Sequence, residues 1–180
     1  MNRRMDAPSG VVGTLSLTVD LTSDTGRLLP HAVRYRPTAA WFDGCMTESR
    51  AFPKLACDGR CPCLSGETYG SCCAPFHGAE ASAPTAERLM RSRYSAYVAG
   101  LSNYLLETWD ARTRPASLEL DPGIRWLGLE IVRTQRGGML DDAGIVEFIA
   151  RFRTADGASR QHETSTFRRV RKRWVYVDAV

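Results

Sequence analysis

Val146-Glu147-Phe148-Ile149-Ala150-Arg151-Phe152 sets an apolar side chain at every second position, so Val146, Phe148, Ala150 and Phe152 share one face of a β-strand. Ile145, Glu147, Ile149 and Arg151 occupy the other face. Upstream, Leu127, Leu129 and Ile131 alternate along a preceding strand, and Gly137-Gly138 with Asp141-Asp142 supply the loop between the two. Downstream, Asp156-Gly157 turns the chain into a third strand ending around Phe167 to Val170, and Trp174-Val175-Tyr176-Val177-Asp178 completes a fourth. Short turns between successive strands predict an antiparallel meander with one face packed and the other wet.

Ahead of the meander the period lengthens. Ala86, Leu89, Met90, Tyr94, Tyr97, Val98 and Leu101 recur at spacings of three and four, the stripe of an amphipathic helix. Pro84 and Thr85 open it, Glu87 suits the positive end of its dipole, and Gly100 ends it. Ser102 reads as the N-cap of a shorter helix through Tyr104, Leu105, Leu106 and Trp109. Helices followed by an antiparallel meander make an α+β domain over 84–180.

Residues 1–55 read differently. Gly10 to Val19 alternates like one strand, but Pro30, Pro37, Gly44 and Pro53 break any regular pattern after it, and no partner element is evident. We expect a poorly structured extension, with Met46 or a nearby codon as the natural start. A chain of 180 residues with 43% hydrophobic content supports one good core and a minor appendage. No apolar run approaches the roughly 18–20 residues that span a bilayer, and Met1-Asn2-Arg3-Arg4 is not followed by a leader-like stretch, which points to a soluble, cytoplasmic protein without membrane contact. The net charge of +4 owes much to Arg168, Arg169, Arg171, Lys172 and Arg173, a run that reads as a solvated hairpin tip, with nucleic-acid contact the alternative.

Five of the six cysteines fall between Cys57 and Cys73, a density that argues for metal rather than disulfides in a chain read as cytoplasmic. Cys61-Pro62-Cys63 and Cys72-Cys73 offer four thiolates, the soft ligands of a closed structural zinc site, and Ser65-Gly66 gives the turn that returns the second pair to the first. Pro62 restricts the backbone between the first two ligands. His77 is an alternate fourth ligand in place of Cys73, since imidazole nitrogen also suits zinc. Cys57 and Cys45 read as free thiols, and Arg60 as a cation that offsets part of the site's negative charge.

Cys61-Pro62-Cys63-Leu64-Ser65-Gly66-Glu67-Thr68-Tyr69-Gly70-Ser71-Cys72-Cys73 resembles the SEC-C zinc motif found at the C-terminus of the preprotein translocase ATPase and in many bacterial proteins; Leu64 stands where the motif normally has Gly. Leu89 to Tyr97, Tyr104 to Trp109, Trp126 to Leu129, Val146 to Phe152 and Trp174 to Asp178 resemble the YchJ family, over roughly Cys61 to Ala179. The resemblance implies a SEC-C knuckle over 57–78 followed by a nuclear-transport-factor-two-like, or cystatin-like, domain: a curved antiparallel sheet wrapped on helices, with a concave pocket. It implies no catalytic role.

Candidate pocket residues are Glu147 and Arg151, which share a strand face, with Trp126 and Trp174 as core or wall. Glu147 and Arg151 read either as the polar groups of the pocket or as a cross-strand ion pair. His162 beside Glu163 is a candidate base or a surface histidine. Phosphate-loop, metalloprotease and nucleophile-elbow motifs are missing from the sequence, which weakens the common enzyme readings. The favoured function is a non-catalytic zinc-binding adaptor that meets a protein partner through the knuckle. The alternatives are an enzyme or small-ligand binder using the pocket, and an RNA- or ribosome-associated protein. Loss of the metal is expected to disorder the knuckle while the domain from Pro84 stands alone.

Overall fold

The structure, a computed structural model, describes residues 52–180. The strand read at Gly10 to Val19, the start at Met46 and Cys45 lie outside the described residues, as does nearly all of the 1–55 segment.

Two short helices, α1 (Tyr69–Cys72) and α2 (Ala74–His77), precede the long α3 (Ala86–Ala99) and α4 (Ser102–Glu107). The strands β1 (Arg125–Arg136), β2 (Ala143–Thr154), β3 (Gly157–Val170) and β4 (Arg173–Ala179) pair antiparallel in the order β1-β2-β3-β4, the expected meander. Thr85 caps α3 by accepting a hydrogen bond from the Arg88 amide at 3.1 Å, and Gly100 closes it in the left-handed region at φ 72°. Ser102 is the first helical residue of α4 rather than its cap. The cap position is Leu101, and it makes no side-chain bond.

Val146, Phe148 and Ala150 of β2 are buried against Leu89, Met90 and Tyr94 of α3 and against Phe167 and Trp174. Their neighbours Glu147 and Arg151 face away from this core, as period two requires. Strand β1 departs from simple alternation. Trp126 pairs with Phe152 and Leu129 with Ala150, so a bulge between Trp126 and Gly128 turns both Trp126 and Leu129 to the packed face and leaves Leu127 outside. Helix α3 docks by its first turn on the β1–β2 loop, where the Ala86 amide donates to the Gly137 carbonyl at 2.8 Å. Gly137, at φ 82°, allows this approach, because a Cβ there would lie 2.7 Å from that of Ala86.

The hairpin tip at Arg171 and Lys172 has both residues at positive φ, the geometry of a tight two-residue β-turn. Arg168 and Arg169 are not free at this tip. Arg168 pairs with Asp110, and Arg169 donates to the carbonyls of Asp141, Gly138 and Met139. No helix among the described residues is long and apolar enough to cross a membrane.

Candidate functional site

The Cys61 amide donates to the Glu67 carbonyl at 2.9 Å and the Leu64 amide to the Cys61 carbonyl at 3.1 Å, folding the motif into a small hairpin closed by an Arg60–Thr68 bridge. Leu64 occupies the left-handed region at φ 57°, which explains why the motif normally has Gly there. Thr68 then caps α1, which carries Cys72 at its last position and Cys73 immediately after it. The two ends of the motif thereby meet. The sulfur of Cys63 lies 3.3, 3.6 and 3.9 Å from those of Cys61, Cys72 and Cys73, and Cys72 is 3.7 Å from Cys73. All four sulfurs fall within 4.8 Å of one another, and none of the four residues forms a disulfide. A tetrahedral ion with metal–sulfur bonds of ~2.3 Å requires sulfurs about 3.8 Å apart, so the donor set fits a closed four-thiolate metal site.

The cluster sits inside the protein. Cys61, Cys63, Cys72 and Cys73 are only 0–2% exposed and belong to the same apolar cluster as α3 and the sheet. Ser95 of α3 donates to Cys73 at 3.5 Å and lies 3.6 Å from Cys61, while Ser65 lies 3.1 Å from Cys72. Hydrogen bonding from Cys61, then from Cys73, holds the Cys63 thiol well below its ordinary range, and burial pushes Cys72 up to about 12. Two cations of α3 attend the cluster: Arg91 donates to the Cys63 carbonyl at 3.1 Å, and Arg88 lies within electrostatic reach of Cys72 and Cys73. Arg60, expected in this role, is exposed.

His77 is held away from the sulfurs. Its Nε2 donates to the Ser92 carbonyl at 2.9 Å, which leaves Nδ1 to accept from the Tyr69 hydroxyl at 2.7 Å. Burial lowers its pKa to about 4, against the opposing pull of the Ser92 carbonyl, so the ring is neutral at neutral pH. Cys57, read as a free thiol, is disulfide-bonded.

A separate cavity of about 160 Å³ opens between α3 and the packed face of the sheet, with Arg93, Tyr97, Trp109, Trp126, Glu163 and Tyr176 among its walls. Trp126 is where the sequence placed it. Glu147 and Arg151 are not in this cavity, because the face that packs on α3 also lines the cavity and they project from the other. There Glu147 is hydrogen-bonded to His162 Nε2 at 2.8 Å, and Arg151 forms a cross-strand ion pair with Glu130 at 2.5 Å. His162 is thus a surface histidine. Trp174 is buried elsewhere, its indole N–H bonded to the Pro84 carbonyl at 3.1 Å. The polar groups that do line the cavity, Arg93 and Glu163, were legible in part: with Phe167 inward, period two along β3 brings Ser165, Glu163 and Gln161 to the same face.

Residues 85–179 match the family model described as YchJ, middle NTF2-like domain. A UPF0225 protein of Streptomyces coelicolor is 55% identical over 118 residues, covering 66% of this chain and 92% of that protein. One of Corynebacterium efficiens is 52% identical over 120 residues, covering 66% and 91%. Among solved structures, a SEC-C motif containing protein from Rhodopseudomonas palustris superposes with a TM-score of 0.58 at 36% identity, over 67% of this chain and 96% of that one. Another, from Psychrobacter arcticus, gives 0.55 at 31% identity, over 66% and 80%.

Proposed function

We propose, from the premise that the chain belongs to the YchJ-like UPF0225 family, that it is a non-catalytic zinc-binding protein whose ion is structural. The observation that carries this reading is the convergence of four buried, unoxidised cysteine sulfurs at spacings that suit a tetrahedral ion. All-thiolate ligation is the donor set of structural zinc, with no position left for water or substrate, and burial of the sulfurs against Ser95 leaves no approach for a reactant. When bound, the ion supplies charge neutralisation for thiolates that would otherwise be buried unpaired.

Elemental analysis of protein purified reduced and without chelator should give one zinc per chain, and Cys72→Ser should lose it. Metal well below one equivalent in the unaltered protein, or a preference for iron under the same conditions, would refute the assignment.

The adaptor role falls to the outer edge of the knuckle, since the cysteines themselves are covered. Leu64 is 59% exposed there, flanked by exposed Gly66, Glu67 and Thr68, which makes this edge the part of the knuckle within reach of a protein partner. A Leu64→Asp chain with full zinc content should lose cross-linking to its cellular partner; retention of that partner would move the contact elsewhere. An RNA-associated role has less support, because Arg168 and Arg169 spend their guanidinium groups within the molecule.

A further inference from the structure

The cavity between α3 and the sheet contains charges that form no ion pair among the described residues. Arg93 is 3% exposed, yet its hydrogen bonds go to neutral groups: Nη1 donates to the Leu105 carbonyl at 2.7 Å and to the Thr108 hydroxyl at 2.8 Å. Its guanidinium lies 4.7 Å from the Tyr176 ring centroid and 5.1 Å from that of Trp109. Among the described residues no carboxylate comes within ion-pair distance of it. Glu163 acts on this guanidinium through space but not by direct contact, and a buried cation whose hydrogen-bond partners are all neutral is costly, while a guanidinium fork is shaped to take a carboxylate.

Among the described residues, Glu163 is the only other charged residue in the lining. Ser165 donates to its Oε1 at 2.5 Å and Gln161 to its Oε2 at 2.6 Å, which fixes the carboxylate in place and leaves each oxygen a further lone pair. Glu163 and Arg93 thus face one cavity without meeting. Trp109, in the same lining, carries the one buried side-chain nitrogen or oxygen among the described residues that has no hydrogen-bond partner, its indole Nε1. Between these groups Tyr94, Trp126 and Phe148 supply apolar wall.

One positive pole, one negative pole and an apolar floor describe the complement of a small amphoteric molecule. At about 160 Å³ the space is well below the ~300–1,000 Å³ of sites for drug-sized ligands. A lone carboxylate would satisfy Arg93 but face Glu163, and a lone amine would do the reverse. We infer that the cavity is a binding site for a small zwitterion of the apolar amino-acid class, its carboxylate at Arg93 and its ammonium at Glu163. The site is distinct from the metal centre and does not depend on the zinc assignment.

The test uses the full, metal-loaded chain and the indole N–H resonance of Trp109, assigned with Trp109→Phe. L-Valine and L-leucine are titrated to about 10 mM beside 4-methylpentanoate and 3-methylbutylamine, which each keep one pole of leucine. A saturable shift of the Trp109 resonance is expected with an amino acid, with both single-pole analogues weaker by roughly tenfold or more. Glu163→Gln, nearly isosteric, should reduce leucine to the affinity of 4-methylpentanoate. Arg93→Lys should weaken all carboxylates; if that variant fails to fold, Glu163→Gln and the analogue series still decide. No shift with any probe, equal binding of leucine and a single-pole analogue, or indifference to Glu163→Gln would each overturn the inference.

Discussion

Asp110 has no exposed side-chain surface, and its carboxylate is held by Arg168 and by the backbone amide and guanidinium of Arg112 at 3.0–3.2 Å. The Arg168 hydrogen bond, and after it that of Arg112, keeps this carboxyl well below the usual carboxylate range. A depressed folded-state pKa contributes stability in full above the unfolded value of ~3.9 and loses it as pH falls through the folded value. Asp110→Asn should therefore melt at lower temperature at neutral pH, and its deficit should shrink steadily below about pH 4. A deficit independent of pH would show that packing, not charge, sets the role of Asp110. Leu64 poses a steric question at the same scale. Its side chain reaches Gly128, where a Cβ would stand 2.7 Å from Leu64 Cδ1, and its backbone sits at φ 57°. Left-handed geometry costs an ordinary residue about 1–2 kcal/mol, a cost Gly avoids and a β-branched residue worsens. Leu64→Gly should thus keep stability within about 1 kcal/mol, while Leu64→Val lowers it by more; denaturant melts of both variants distinguish this from a purely hydrophobic role. The motif's departure at Leu64 was visible in the sequence, but its accommodation was not, because the space comes from a glycine on a distant strand. The choice between Cys73 and His77 was hidden in the same way: what occupies the imidazole is a carbonyl of α3 and a tyrosine hydroxyl.

Among the elements, the apolar stripe of α3 placed Ala86, Leu89, Met90 and Tyr94 correctly but missed the buried Ser92, Arg93, Ser95, Ala96 and Ala99. Strand β2 was readable almost residue by residue, since it keeps one period from end to end and buries the expected face. Strand β1 was not. Alternation assigned Leu127, Leu129 and Ile131 to one face, but one extra residue at the bulge leaves Leu127 46% exposed beside a Leu129 that is 3% exposed. Leu129→Ala should cost roughly 2–5 kcal/mol and Leu127→Ser no more than about 0.5 kcal/mol, measured by urea unfolding. Comparable losses at the two positions would mean that the strand pairs without the bulge in solution. The bulge also shapes the cavity, because it turns Trp126 to the packed face, where it forms part of the wall. Glu147 and Arg151 were read on the correct shared face, but which face lines a pocket depends on where the helix lies, and strand periodicity does not encode that.

At the scale of the whole molecule, the knuckle and the α+β domain were expected to be separable, with the knuckle an appendage. The cysteines instead lie within the apolar cluster that holds Leu89, Tyr94, Val146 and Phe167. Loss of a metal held by these cysteines would remove a wall of the common core, so Cys61→Ser or chelation should lower the melting temperature of the entire chain by roughly 10 °C or more. Amide exchange should then quicken along α3 at Tyr94 and Ser95 as well as between Cys57 and His77. Faster exchange confined to the knuckle would restore the separable picture. The shared core also bears on how the chain is made. Synthesis runs from the N-terminus, so the four thiols leave the ribosome well before the last strand, Arg173–Ala179, that completes the sheet. At ~5–20 residues per second, the roughly one hundred residues between them take several seconds or longer to appear. Throughout that interval the thiols have no interior to enter and stand open to oxidants, and an ion captured by the nascent knuckle would protect them until the rest of the fold arrives.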